Sequence, residues 1–155
     1  MKMAPLDLDE VLSEALSFVQ HELLGSQVAL RVERTDALPP VFADRIQLQQ
    51  VVLNLVMNGI EAMQSIVDRP RVLVIRTERD EAHQVKVTVT DCGVGFSADS
   101  AGRLFNTFFT TKAGGMGMGL SICRSIIERH GGRIWAAPNA AHGATIQFTL
   151  PLRPA

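Results

Sequence analysis

Residues 71–95 read RVLVIRTERDEAHQVKVTVTDCGVG, and the fold is decided here. Two β-rich runs, Arg71–Arg79 and Gln84–Thr90, flank a turn at Asp80-Glu81-Ala82. The second run alternates apolar and polar residues and ends on Asp91, followed by Gly93 and Gly95. Working upstream, Asp44 caps the longest predicted helix, about 45–66, and Val41-Phe42-Ala43 forms a short strand behind the break at Pro39-Pro40. Val28, Leu30 and Val32 alternate with polar residues up to Arg34, the pattern of a half-buried strand. Leu8, Val11, Leu12, Ala15, Leu16, Val19 and Leu23 recur at helical spacing after Asp7, a plausible N-cap, and Gly25 ends that helix.

Downstream, residues 91–119 are loop-like, with a short helix possible near 97–104. A helix over 118–130 closes at Gly131-Gly132, a C-cap signal. Arg133–Ala137 and Thr145–Leu150 form a final hairpin joined through Pro138-Asn139, and Pro151 stops it. The order is α-β-β-α-β-β-loop-α-β-β. Paired strands point to an α+β chain: a two-layer α/β sandwich whose mixed, largely antiparallel sheet carries about three helices on one face. A doubly wound parallel sheet would need strict β-α alternation, which the order lacks.

At 155 residues the chain is one domain, large enough to bury a core unaided. Its 46% hydrophobic and 20% charged residues exclude wholesale disorder, and a net charge of −1 argues against a general nucleic-acid binder. Two cysteines, Cys92 and Cys123, make neither a disulfide framework nor a metal cluster. Read as reduced thiols, they point to a cytoplasmic domain; no apolar run approaches a membrane span, and the expectation is no direct membrane contact, in a parent that is either anchored or soluble. Residues 1–5, opening Met1-Lys2-Met3, are expected to be an expression scar or linker, with the domain proper over 6–152.

Nine of the 12 glycines fall between Gly93 and Gly132, so the chemistry is sought there. The run Gly114-Gly115-Met116-Gly117-Met118-Gly119-Leu120 feeds a helix N-terminus, where free N–H groups and the helix dipole favour an anion. No Gly-Lys-Ser/Thr closes it, so it is not a Walker loop. Asp91, at a strand end beside Gly93 and Gly95, offers a carboxylate to an exocyclic amine, with glycines leaving room for a flat ring. On the long helix Asn54 and Asn58 are spaced i, i+4, and Glu61 follows on the same face. Side-chain oxygens so placed suit a hard cation such as Mg²⁺ shared with phosphate. Gly59 costs that helix roughly 1 kcal/mol against Ala, which implies something packed on its backbone. Phe105, Phe108 and Phe109 sit beside the glycine loop, either as core or as a lid latch, and Lys112 is a point charge for phosphate.

These elements, in this order, resemble the ATP-binding catalytic domain of bacterial sensor histidine kinases, which shares the Bergerat nucleotide fold with gyrase, MutL and the large heat-shock chaperones. Asn54–Asn58 with Glu61-Ala62 resembles the asparagine box, Asp91–Gly95 the first glycine box, Phe105–Lys112 the phenylalanine box, and Gly115–Leu120 the second glycine box. Gly143-Ala144-Thr145 before Leu150-Pro151 resembles the closing strand. The resemblance implies that Asp91 binds the adenine amino group with Thr145 and Gly95 nearby, while Gly93 belongs to the same box. It implies that Asn58 ligates Mg²⁺, that Asn54 assists at the phosphates, and that Glu61 of the same box belongs to the nucleotide site while the phosphate contact usual at its position falls to Lys112. Thr111, Lys112 and the loop at Gly115, Gly117, Met118, Gly119 and Leu120 would hold the triphosphate, with Phe105 and Phe108 anchoring the lid. Three positions depart from the family pattern: Thr107 stands where a proline is usual, Gly59 replaces a commoner alanine, and Glu61 replaces a frequent basic residue.

The implied activity is binding of Mg²⁺·ATP and transfer of its γ-phosphate to a histidine on a separate dimerisation and phosphotransfer domain, with a response regulator as the indirect partner. His21-Glu22 imitates a phosphoacceptor site, but no proline follows in the next turn, and His21 lies only 33 positions before Asn54. The expectation is that the phosphoacceptor is absent from this chain. The alternatives are an ATP-hydrolysing clamp of the gyrase or MutL kind, which carries a glutamate where Asn54 stands, and a nucleotide-sensing module without catalysis.

Overall fold

The computed structural model describes residues 1–34, 37–80, 83–105 and 119–152. The elements run β1 (Ala4–Leu6), α1 (Leu8–Ser17), α2 (Gln20–Gly25), β2 (Ala29–Arg34), β3 (Val41–Ala43), α3 (Arg45–Ala62), β4 (Val72–Asp80), β5 (Gln84–Thr90), a 3-10 segment (Ala98–Arg103), α4 (Gly119–Arg129), β6 (Ile134–Pro138) and β7 (Ala144–Pro151). Five strands form one mixed sheet in the order β2-β4-β5-β7-β6. Only β2 and β4 run parallel; the other three pairings are antiparallel. The expected sandwich is therefore present.

Alternation along the strands sorts the two faces. Leu73, Ile75, Val85, Val87, Val89, Ile134, Ile146, Phe148 and Leu150 are buried in the core that they share with Leu48, Val51, Leu55, Val56 and Ile60 of α3. The opposite face is charged, with ion pairs from Arg76 to Glu33 and from Lys86 to Glu78. α3 packs between α1 and α4. Its N-terminus is capped by Asp44, whose Oδ1 accepts from Gln47 N at 3.0 Å, and Asp7 caps α1 in the same way.

Several boundaries differ from the sequence reading. The single helix expected through Leu23 breaks between α1 and α2. Phe18 N and Val19 N bond three residues back, and the Ser17 hydroxyl takes Glu14 O, which competes with the helical ladder. α3 ends at Ala62 and not near Ile66, because Val94 N claims Ala62 O at 3.0 Å while Ile66 N turns to Met63 O. β2 is largely exposed, since it is an edge strand with β4 as its sheet partner. Ala4 and Pro5, expected in a linker, lie in β1, which pairs antiparallel with β3.

Candidate functional site

The site is built at the end of β5. Asp91 is 7% exposed there. Its Oδ1 accepts from Gly93 N at 2.9 Å and from Ala144 N at 3.3 Å, and its own N–H donates to Ala144 O at 3.0 Å. A buried carboxylate so held has a fixed orientation. The neighbouring glycines permit main chain to press on main chain. A Cβ on Gly143, at φ +82, would lie 2.8 Å from Asp91 Oδ1 and nearer still to its carbonyl. A Cβ on Gly95, at φ +69, would lie 2.9 Å from Gly143 O. A Cβ on Gly93 would run into the Ala62 carbonyl. Gly93 and Gly95, expected to leave room for a ligand's ring, also serve with Gly143 in packing main chain against main chain.

α3 supplies the facing wall. Gly59 is the point of contact, since a Cβ there would stand 3.7 Å from Asp91 Cβ and 2.7 Å from Leu73 Cδ1. The close packing that its helix cost implied is present. Asn54 and Asn58 are half-buried on the next face and Glu61 is exposed. Asn54 Nδ2 donates to Gly119 O at 3.5 Å, so this amide reaches the first turn of α4, where Gly119 and Leu120 sit. Thr145 Oγ1 donates to Asn139 Oδ1 at 2.6 Å and lies 3.2 Å from Thr90 Oγ1. Asn139 Nδ2 in turn donates to Asp91 O at 2.9 Å, which ties Thr145 to the carboxylate loop.

Asn54, Asn58, Asp91, Gly93, Gly95, Gly119, Leu120 and Thr145 thus lie on three connected pieces: α3, the loop after β5 and the start of β7, and the N-terminus of α4. Phe105 is buried in the core, at the root of the segment expected to form the lid. Thr107, Phe108, Thr111, Lys112, Gly115, Gly117 and Met118 lie outside the described residues. His21 is exposed on α2.

Among the described residues no group of three or more His, Cys, Asp or Glu side chains could hold a metal. Amide oxygens such as that of Asn58 fit a different arrangement, in which Mg²⁺ takes few protein ligands and completes its shell with phosphate oxygens and water. Cys123, fully buried beneath Asn54, has its thiol pushed up to about 12 by burial, only partly offset by the Asn54 hydrogen bond. It is a packed thiol and no nucleophile.

Three structural residues had no sequence signal. Arg69 donates from Nε to Cys92 O and from Nη2 to Gly93 O. Asn139 belongs to no box. His130, buried, accepts from Asp44 N at Nε2 and meets Ile126 O through Nδ1, joining the end of α4 to the cap of α3.

A family model described as "Histidine kinase-, DNA gyrase B-, and HSP90-like ATPase" matches residues 43–154. The sensor protein FixL of Bradyrhizobium diazoefficiens is 50% identical over 124 residues, covering 80% of this chain; the chain spans only 24% of FixL. The solved catalytic domain of histidine kinase ThkA superposes with a TM-score of 0.86 at 33% identity, covering 99% of this chain and all of that one. A second structure, ThkA in complex with the response regulator protein TrrA, gives a TM-score of 0.83 at 31% identity, with 98% of this chain and 42% of that one covered.

Proposed function

Because the chain belongs to the histidine kinase-, DNA gyrase B- and HSP90-like ATPases, as an ATP-binding catalytic domain of the sensor histidine kinase type, we propose that it binds Mg²⁺·ATP and presents the γ-phosphate to a histidine on a separate dimerisation and phosphotransfer domain. The observation that carries this reading is the contact through Gly59. It sets a buried, oriented carboxylate directly against the helix that bears Asn54 and Asn58. Asp91 is an acceptor for an exocyclic amine at one end of the site. The amide face of α3 leads from it to the N-terminus of α4, where helix-end N–H groups favour phosphate. Mg²⁺, when bound, neutralises phosphate charge; Asn58 would hold it and Asn54 would order the neighbouring phosphates.

Phosphoryl transfer needs mostly positioning and charge neutralisation. This chain's share is to orient the nucleotide. The nucleophile comes from the partner domain in this reading, and His21, an exposed residue of the six-residue helix α2, keeps no more than its imitation of a phosphoacceptor site. A response regulator would receive the phosphoryl group from that histidine. The clamp-like hydrolase reading finds less support. Asn54 is a neutral amide engaged with Gly119 O, and an amide cannot deprotonate water.

Labelled Mg²⁺·ATP tests the proposal. The chain alone is expected to bind nucleotide, release phosphate slowly and acquire no acid-labile label. Adding the parent's histidine-bearing domain is expected to give label on that domain, more so when the two are joined, because tethering raises the effective concentration. Label on His21, lost in His21→Ala, or rapid Asn54-dependent hydrolysis would overturn it.

A further inference from the structure

Three successive main-chain carbonyls at the site, those of Asp91, Cys92 and Gly93, are taken by side chains remote in sequence. Asn139 Nδ2 donates to Asp91 O at 2.9 Å, Arg69 Nε to Cys92 O at 2.9 Å and Arg69 Nη2 to Gly93 O at 3.1 Å. We propose that Arg69 and Asn139 are positioning residues that preset the Asp91 carboxylate, and so govern discrimination between adenine and guanine nucleotides. This rests on the reading of Asp91 as the acceptor for the adenine amine.

The peptide unit between Cys92 and Gly93 is held at both ends. The carbonyl of Cys92 and the N–H of Gly93 belong to the same plane. Arg69 holds its oxygen, and Asp91 Oδ1 holds its N–H at 2.9 Å. A peptide next to glycine flips readily, because glycine tolerates both signs of φ. A flip here would carry the Gly93 N–H away from Oδ1 and leave the carboxylate with one fewer restraint. Arg69 opposes that flip from the far end of the plane. Asn139 does the same for the preceding unit through Asp91 O, and its Oδ1 is itself fixed by Thr145 Oγ1 at 2.6 Å.

The guanidinium is well supported for this work. Its side chain is 20% exposed, and Nη1 meets Asp68 at 2.9 and 3.1 Å. Arg71, two residues on, donates to Ser26 O, Gln64 O and Ile66 O, which fixes the connection that carries Arg69. A planar fork can bridge two adjacent carbonyls, whereas an ammonium satisfies them only as a point charge. A preset carboxylate binds the amine without first losing rotational freedom, and it leaves an unpaired acceptor facing the carbonyl of guanine.

The test combines nucleotide affinities with backbone exchange. In Arg69→Ala, ATP affinity is expected to fall about tenfold and GTP affinity far less, so the ATP/GTP ratio collapses. Asn139→Ala should move the ratio in the same direction and Arg69→Lys should recover it in part. The ratio of affinities with and without Mg²⁺ should stay put. Hydrogen exchange at the Gly93 amide of the nucleotide-free protein should speed up in Arg69→Ala at temperatures where the fold is intact. Equal losses for ATP and GTP, or an unchanged ratio with unchanged Gly93 exchange, overturn the proposal. Should Arg69→Ala not fold, Arg69→Lys and Asn139→Ala carry the same ratio test. A wild-type chain that binds ATP and GTP alike overturns the adenine reading of Asp91 itself, and the Gly93 exchange then still reports whether the clamp exists.

Discussion

At the scale of single residues, Asn58 and Gly143 separate chemistry from architecture. Asn58 is half-buried on α3, on the face that also bears Asn54. If its amide oxygen serves Mg²⁺, Asn58→Ala weakens ATP binding in the presence of the metal and leaves metal-free binding nearly intact. Calorimetry with Mg²⁺ and with a chelator checks this, and equal losses in both would remove the metal role. Gly143 acts differently. Its φ of +82 and its contact with the Asp91 carbonyl leave no place for a side chain. Gly143→Ala is expected to cost about 1–3 kcal/mol for the backbone conformation alone, and to displace Asp91. Urea unfolding and ATP titration should therefore decline together. A stable variant with unchanged affinity would show that the loop has slack.

At the scale of elements, α3 and α4 are joined at the Asp44 cap. Asp44 caps α3, accepting from Gln47 N at 3.0 Å and from Lys2 N at 2.6 Å. The hydrogen bonds from Gln47 and then Lys2 hold its carboxyl below the ordinary aspartate value. A depressed folded-state value means that this stabilisation is fully present above the unfolded value and is lost as pH falls through the folded one. Stability measured by urea between pH 6 and 3 should drop on acidification, and Asp44→Asn should flatten part of that drop. An identical pH profile in the variant would contradict the assignment. His130 binds the same place from the other side, taking the Asp44 N–H at 3.0 Å. Through it, the cap of α3 and the last turn of α4 form one joint, which fixes how far the amide face of α3 stands from the helix that follows the glycine run.

At the scale of the whole molecule, α4 and α3 seal Cys123 inside the core, where it is 0% exposed and its thiol is pushed up to about 12. A neutral, enclosed thiol reacts only when the molecule opens. Labelling of Cys123 by a thiol reagent should follow global unfolding, slowing when Mg²⁺·ATP is added because ligand binding stabilises the folded state. Cys92, half-exposed beside Asp91, provides the internal comparison, with the two sites resolved by mass spectrometry. Labelling of Cys123 as fast as that of Cys92 in the folded protein would mean that the α3–α4 contact opens locally.

The amino-acid sequence by itself marked most of the elements and the residues on which the proposed chemistry rests. Apolar alternation in β4 and β5 and the Asp44 cap are local signals, and so are the i, i+4 asparagines; local signals are written in neighbouring residues. Asp91 was legible because a carboxylate and two glycines end an alternating strand. Tertiary structure alone decided the rest. The Val94 N–H that shortens α3 and the pairing of β1 with β3 join residues far apart in the chain. The same holds for the carbonyls taken by Arg69 and Asn139. An arginine in a connection and an asparagine in a hairpin loop have no spacing that marks them. Their role exists only because folding brings a third segment, the Asp91 loop, within hydrogen-bond distance of both.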